Sequence, residues 1–165
     1  MGTIKFMRKQ RIITTLICAT LLFGQAQFSA QAADGDNPAP AATKTAKNVD
    51  VELEKSRALI ASKKYKEALT ELKKLNKLIP NNADVNNLLG FASRKLGQYK
   101  EAGTYYTKAL KIKPNHLGAL EYQGELFVLT KNMTKAKANL AKLKTACGTI
   151  CPEYLDLKKS IEAKK

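Results

Sequence analysis

The chain has 165 residues, enough for about one domain, with 44% apolar residues and a mean hydropathy of −0.32. That balance suits a packed domain and excludes a wholly disordered chain. Lys and Arg number 29 against 14 Asp and Glu, a net charge of +15 with a single His, so the surface field favours anionic partners.

The first 32 residues read as an export signal. Lys5, Arg8, Lys9 and Arg11 precede the apolar run Ile12 to Gly24, and Ala30-Gln31-Ala32 supplies a small-residue cleavage pattern. The run is too short for a membrane span, which needs about 20 apolar residues. Cleavage after Ala32 removes four basic residues and leaves +11. These features predict an exported protein in a bacterial periplasm. There the charge faces envelope surfaces and acidic proteins, which argues against nucleic acid as partner. Residues 33–48, rich in Ala, Pro, Asp and Thr, read as a flexible linker.

From residue 49 onward the chain repeats with a period of 34. Ala68, Ala102 and Ala136 are spaced by that interval. So are Ser56, Gly90 and Gly124, and Pro80 and Pro114. A period of this length signals stacked supersecondary units that cannot bury their apolar faces alone. In the middle unit Leu88, Leu89, Ala92 and Leu96 form an apolar helical stripe, Gly97 reads as a C-cap, and Tyr99 begins a second helix carrying Ala102, Tyr106, Ala109 and Leu110. Gly90 and Ala102 are small where two antiparallel helices approach closely. Pro114 ends the second helix. The same reading predicts helices over about 49–62, 65–79, 83–96, 99–112, 117–130 and 133–146.

These units resemble tetratricopeptide repeats, a family with a small residue at position 8, Ala at 20 and Pro at 32 of each 34-residue unit. The resemblance covers residues 49–82, 83–116 and 117–150, and the middle unit fits best, with Gly90, Ala102, Tyr106, Ala109 and Pro114 in place. The third unit departs at its end, where Gly148 replaces the Pro. The fold implied is all-α: a right-handed solenoid of three helix–turn–helix repeats.

After Gly148, Pro152 suits the first position of a seventh helix. Tyr154, Leu155, Leu157 and Ile161 form its apolar stripe, and Lys158, Lys159, Glu162 and Lys164 its polar face. Residues 151–165 are thus read as a capping helix. Cys147 and Cys151, the two cysteines beyond the signal, are read as a disulfide that staples the cap to the third repeat. A redox pair and a soft-metal site are the alternatives, and a redox or soft-metal-handling role for this pair is the alternative function for the whole chain. The run Cys147-Gly148-Thr149-Ile150-Cys151-Pro152-Glu153-Tyr154 also resembles the tail of small exported bacterial repeat proteins.

No nucleophile–base constellation can be built around one His, and no Gly-rich phosphate loop occurs. The expectation is a non-catalytic protein without a cofactor. In the tetratricopeptide family the first helices of successive repeats line a concave groove. Carried over by position, its candidate residues here are Arg57 in the first repeat, then Asp84, Asn87, Phe91, Arg94 and Lys95 in the second, and Glu121 and Glu125 in the third. Phe91 with Asn87 and Arg94 suits a peptide segment. Some family members clamp a chaperone's terminal carboxylate at five groove positions. Four of these are Leu53, Leu88, Gly118 and Tyr122 here, with only Arg57 basic, so that specialised role is not expected. The partner implied is another protein or peptide, with acidic character favoured by charge, in an adaptor or scaffold role in envelope assembly. An anionic envelope surface is a further candidate partner.

Overall fold

The computed structural model describes residues 41–164; the export signal and the first half of the linker reading lie outside them. Seven helices follow in order: α1 (Ala41–Ala61), α2 (Tyr65–Leu78), α3 (Ala83–Lys95), α4 (Tyr99–Ile112), α5 (Leu117–Leu129), α6 (Met133–Cys147) and α7 (Pro152–Glu162). No strand occurs among the described residues. The pairs α1–α2, α3–α4 and α5–α6 form the three hairpins, stacked through α2 on α3 and α4 on α5. The helix boundaries agree with the expected ones to within a residue or so, except at the start.

Helix α1 begins at Ala41, inside the stretch read as linker. Ala41, Ala42, Lys44, Ala46 and Lys47 are strong helix formers. Once packing fixes the segment from Val49 onward, extending the helix backward avoids the cost of nucleation.

Each hairpin turns through the same three-residue link. Residues 63, 97 and 131 take φ of 58°, 76° and 59°. The next amide then donates to the carbonyl five residues back: Lys64 to Leu59 at 2.8 Å, Gln98 to Ser93 at 2.9 Å, and Asn132 to Phe127 at 2.7 Å. This long backbone bond across a left-handed residue is the Schellman closure of a helix. Only the middle turn uses glycine; Lys63 and Lys131 hold the same backbone conformation with a side chain. Between repeats, Asn82 and His116 cap α3 and α5, accepting from the amides of Val85 (3.0 Å) and Ala119 (3.2 Å). Asn86 locks the first of these junctions by donating to the carbonyls of Pro80 and Asn82, at 3.1 and 2.7 Å.

The core follows the periodic small and large positions. Leu53, Ala68, Leu72, Val85, Leu89 and Ala92 form its N-terminal part. Tyr106 is wholly buried, and its ring fills the space over Gly90, where an added Cβ would lie 2.6 Å from it. The close approach expected at Gly90 is therefore present, with Tyr106 as the neighbour. Leu120, Ala136, Leu143, Leu157 and Ile161 form the C-terminal part.

The cap matches expectation in having Pro152 at its start and Glu153 in its first turn. Its buried stripe is narrower: Leu157 and Ile161 are buried, whereas Leu155 is 48% exposed. Gly124, the counterpart of Gly90, meets α7 and not its own hairpin partner, with an added Cβ 2.4 Å from Leu157. Thus α7 lies closely across α5, and packs on α6 as well.

Candidate partner-binding face

The first helices of the repeats, α3 and α5, bring Phe91, Arg94, Lys95 and Glu125 to one face. Phe91 is the centre of an aromatic row. Its ring lies 6.3 Å from Tyr65 and 4.8 Å from Tyr122, both edge-on. All three side chains are partly exposed. Lys95 is exposed, and its ammonium sits 5.2 Å above the Phe91 ring, a cation–π arrangement.

Arg94 occupies a different position from the open one expected. It is buried, and its Nη2 lies 2.7 Å from Glu125 Oε2. Its Nε donates to the Tyr106 hydroxyl at 3.4 Å. The guanidinium also stacks 5.4 Å from Phe91 and 5.6 Å from Tyr122. Arg94 therefore ties the second repeat to the third and positions the aromatic row. Burial pushes the Tyr106 hydroxyl well above the usual tyrosine range, with Arg94 acting in the opposite direction. Burial also moves Tyr122 up to about 12, and Glu121 and Glu125 add to this.

The acidic residues are only partly accessible. Glu125 is held by Arg94 and accepts from Ser160 Oγ of α7 at 3.4 Å. Glu121 is 7% exposed. Its carboxyl is pushed up to about 8 by burial first, then by Glu125, Asp156 and Glu153, while Arg94 opposes. Glu121 does not face an open groove, because α7 packs against α5 there. What remains open is a cleft of about 300 Å³ between the C-terminal ends of α3, α5 and α7, lined by Arg94, Lys95, Glu125, Val128, Leu129, Ser160 of α7 and, just beyond that helix, Lys164.

The other candidates are separated from this cleft. Asn87 is buried, against the space that Gly118 leaves open. Asp84 is exposed at the repeat junction and accepts from His116 Nε2 at 3.1 Å. The Nδ1 of that ring accepts from Ala119, which assigns the proton to Nε2. Arg57 is exposed on α1 and paired with Glu54. Leu53, at one of the clamp positions, belongs to the core. Sequence reasoning missed Tyr65 and Tyr122 as partners of Phe91. Their signal was available: aromatic residues at the start of α2 and in the second turn of α5.

Cys147 and Cys151 form a disulfide with an S–S distance of 2.05 Å, across the turn that separates α6 from α7. Glu153 could join them in a ligand set within 4.8 Å. A soft metal, however, requires thiolates, and here the sulfurs are bonded to one another. None of the described helices is long and apolar enough to cross a membrane.

A sequence model of the tetratricopeptide repeat matches residues 83–116. The chain is 30% identical over 119 residues to tetratricopeptide repeat protein 37 of Xenopus laevis, covering 72% of this chain and 7% of that protein. It is 32% identical over 109 residues to the uncharacterized protein ycf37 of Porphyra purpurea, covering 57% of this chain and 63% of that one. This chain thus spans a small part of the first relative and under two thirds of the second. Among solved structures, the first repeat domain of Spaghetti (RPAP3) bound to an HSP90 peptide superposes with a TM-score of 0.63 at 19% identity, over 71% of this chain and 93% of that one. The Yersinia enterocolitica secretion chaperone SycD in complex with a YopD peptide gives 0.62 at 16%, over 72% and 89%. The period, the three hairpins and these likenesses agree on the fold: an all-α helical repeat like that of tetratricopeptide-repeat solenoids, with three hairpins closed by α7.

Proposed function

We propose that the chain is a non-catalytic peptide-binding module that acts outside the cytoplasm, as an adaptor or scaffold during envelope assembly. Tetratricopeptide repeats generally mediate protein–protein interaction. The observation that carries the reading here is the half-open aromatic row Tyr65–Phe91–Tyr122 beside exposed Lys95, which with Lys164 lines a neighbouring cleft. An apolar or aromatic side chain of a partner packs on Phe91, and an acidic one pairs with the lysines. That combination selects an acidic segment with an apolar anchor. Peptides held by the RPAP3 and SycD domains support a peptide as ligand on this fold. Leu53, Leu88, Gly118 and Tyr122 at the clamp positions argue against recognition of a terminal carboxylate. The N-terminal charge and apolar pattern supports export.

The test is a crosslinking pull-down from an envelope fraction, comparing the native chain with Phe91→Ala/Lys95→Glu. Both side chains are at least partly exposed, and an unchanged melting temperature of the variant keeps the comparison to the surface. Capture of a discrete partner that the variant loses is the expected result; equal capture by both overturns the groove assignment. Sequencing the N-terminus of the secreted chain tests export, with Ala33 expected first.

A further inference from the structure

The charge of the molecule is sorted by helix. Helix α5 carries Glu121 and Glu125 and no base. By contrast α4 and α6, the second helices of their hairpins, carry Lys100, Lys108 and Lys111 and Lys135, Lys137, Lys142 and Lys144 against the single acid Glu101. Among the described residues every ion pair lies within α1 and α2 or joins Arg94 to Glu125; none involves an α4 or α6 lysine. These lysines are exposed apart from the half-buried Lys108. The two helices do not touch. Between them runs an open groove of about 430 Å³, bordered by Lys100 and Thr107 of α4 and Lys135 of α6, with Gln123 and Phe127 of α5 in its lining. The Lys135 ammonium lies 5.6 Å over Phe127, and no carboxylate lines the groove.

We propose that the α4–α6 face docks on the surface of an anionic phospholipid bilayer, with one headgroup phosphate seated in the groove between Lys100 and Lys135. The chemistry distinguishes this surface from a protein interface. Protein interface cores are enriched in Arg, Tyr and Trp and depleted in Lys, whereas this face has many lysines and no arginine. Lysine is a mobile point charge that follows a fluid array of phosphates without fixed geometry. The exposed Thr107 hydroxyl accepts from Gln123 Nε2 at 3.2 Å and keeps its own proton to donate to a phosphate or ester oxygen. Docking through this face leaves the aromatic row on α2, α3 and α5 free for a peptide.

Sedimentation with vesicles of phosphatidylglycerol and phosphatidylcholine tests the proposal, with pure phosphatidylcholine as the baseline. Residues 1–32 are common to every variant, so differences between variants read the helices. Each lysine near an anionic surface contributes about a five-fold gain in binding, or about 1 kcal/mol. Lys137→Glu/Lys142→Glu/Lys144→Glu should therefore weaken binding by on the order of 100-fold or more. Lys100→Ala/Lys135→Ala should weaken it by roughly 25-fold, and added salt should weaken the native chain. The control Lys73→Glu/Lys74→Glu/Lys77→Glu in α2 should bind nearly as the native chain does. Equal loss in the α2 control, unchanged binding in the α6 variant, or preference for soluble polyglutamate over the vesicles would each overturn the proposal. An unchanged melting temperature in all variants keeps the comparison to the surface.

Discussion

Glu121 offers the sharpest test of how α7 is held. Its carboxyl lies buried among Glu125, Asp156 and Glu153, and its pKa is raised to about 8. The sign follows from linkage. A carboxyl with a raised folded pKa holds its proton more tightly in the folded chain, so stability falls as pH rises from the unfolded value, 4.5, through the folded one, about 8. Each pKa unit corresponds to about 1.36 kcal/mol, so ionisation should cost the fold about 3 kcal/mol between pH 5 and pH 8. Glu121→Gln keeps the shape and removes the titration. The variant should match the native chain near pH 5 and exceed it by about 3 kcal/mol at pH 8, several degrees in melting temperature for a domain of this size. Urea melts of both proteins across this range supply the measurement, and subtracting them cancels the other titrating groups. A native-minus-variant difference that stays flat with pH, or that favours the native chain at pH 8, would refute the account of Glu121 as a buried acid under α7.

Three further outcomes follow from other contacts. Gly124→Ala places a Cβ 2.4 Å from Leu157 and should destabilise by about 1–3 kcal/mol, with faster amide exchange in α7. Exchange unchanged in α7 would show that the helix is not seated on Gly124. Lys131→Gly should stabilise by about 0.5–1 kcal/mol, because its φ of 59° carries a penalty that glycine escapes in part; chemical denaturation reads the gain, and a loss would contradict it. Replacing Cys147 and Cys151 by Ser should lower stability by about 2 kcal/mol in the chain-entropy description of a short loop. Partner capture should survive if the bond is a staple, and loss of capture at unchanged stability would instead favour a reactive pair.

The regular spacing of small and large residues was enough to define six helices and their pairing. Gly90 illustrates why: the small residues Ser56, Gly90 and Gly124 recur at a 34-residue interval, and at Gly90 the Tyr106 ring fills the space left open. The start of α1 was harder to read. Its first residues have helix-forming side chains but no apolar stripe, and Pro38 and Pro40 directly upstream weighted the composition toward a linker. The equivalence of Lys63, Gly97 and Lys131 was similarly hidden, since lysine gives no sign of a left-handed backbone.

The functional face divides along the same line. Position within the repeat placed Phe91, Arg94, Lys95 and Glu125 on one side of the solenoid, because helical periodicity alone fixes which residues share a face. Their roles depended on neighbours from other repeats. Arg94 is spent on Glu125 and Tyr106, and Glu121 is covered by α7. Asn87 is buried where Gly118 makes room. The sequence by itself determined the repeat, its helices and the sorting of lysines onto α4 and α6. Only the tertiary structure decided which charges remain free, because desolvation and ion pairing are set by the packing of one repeat on the next and of α7 across α5.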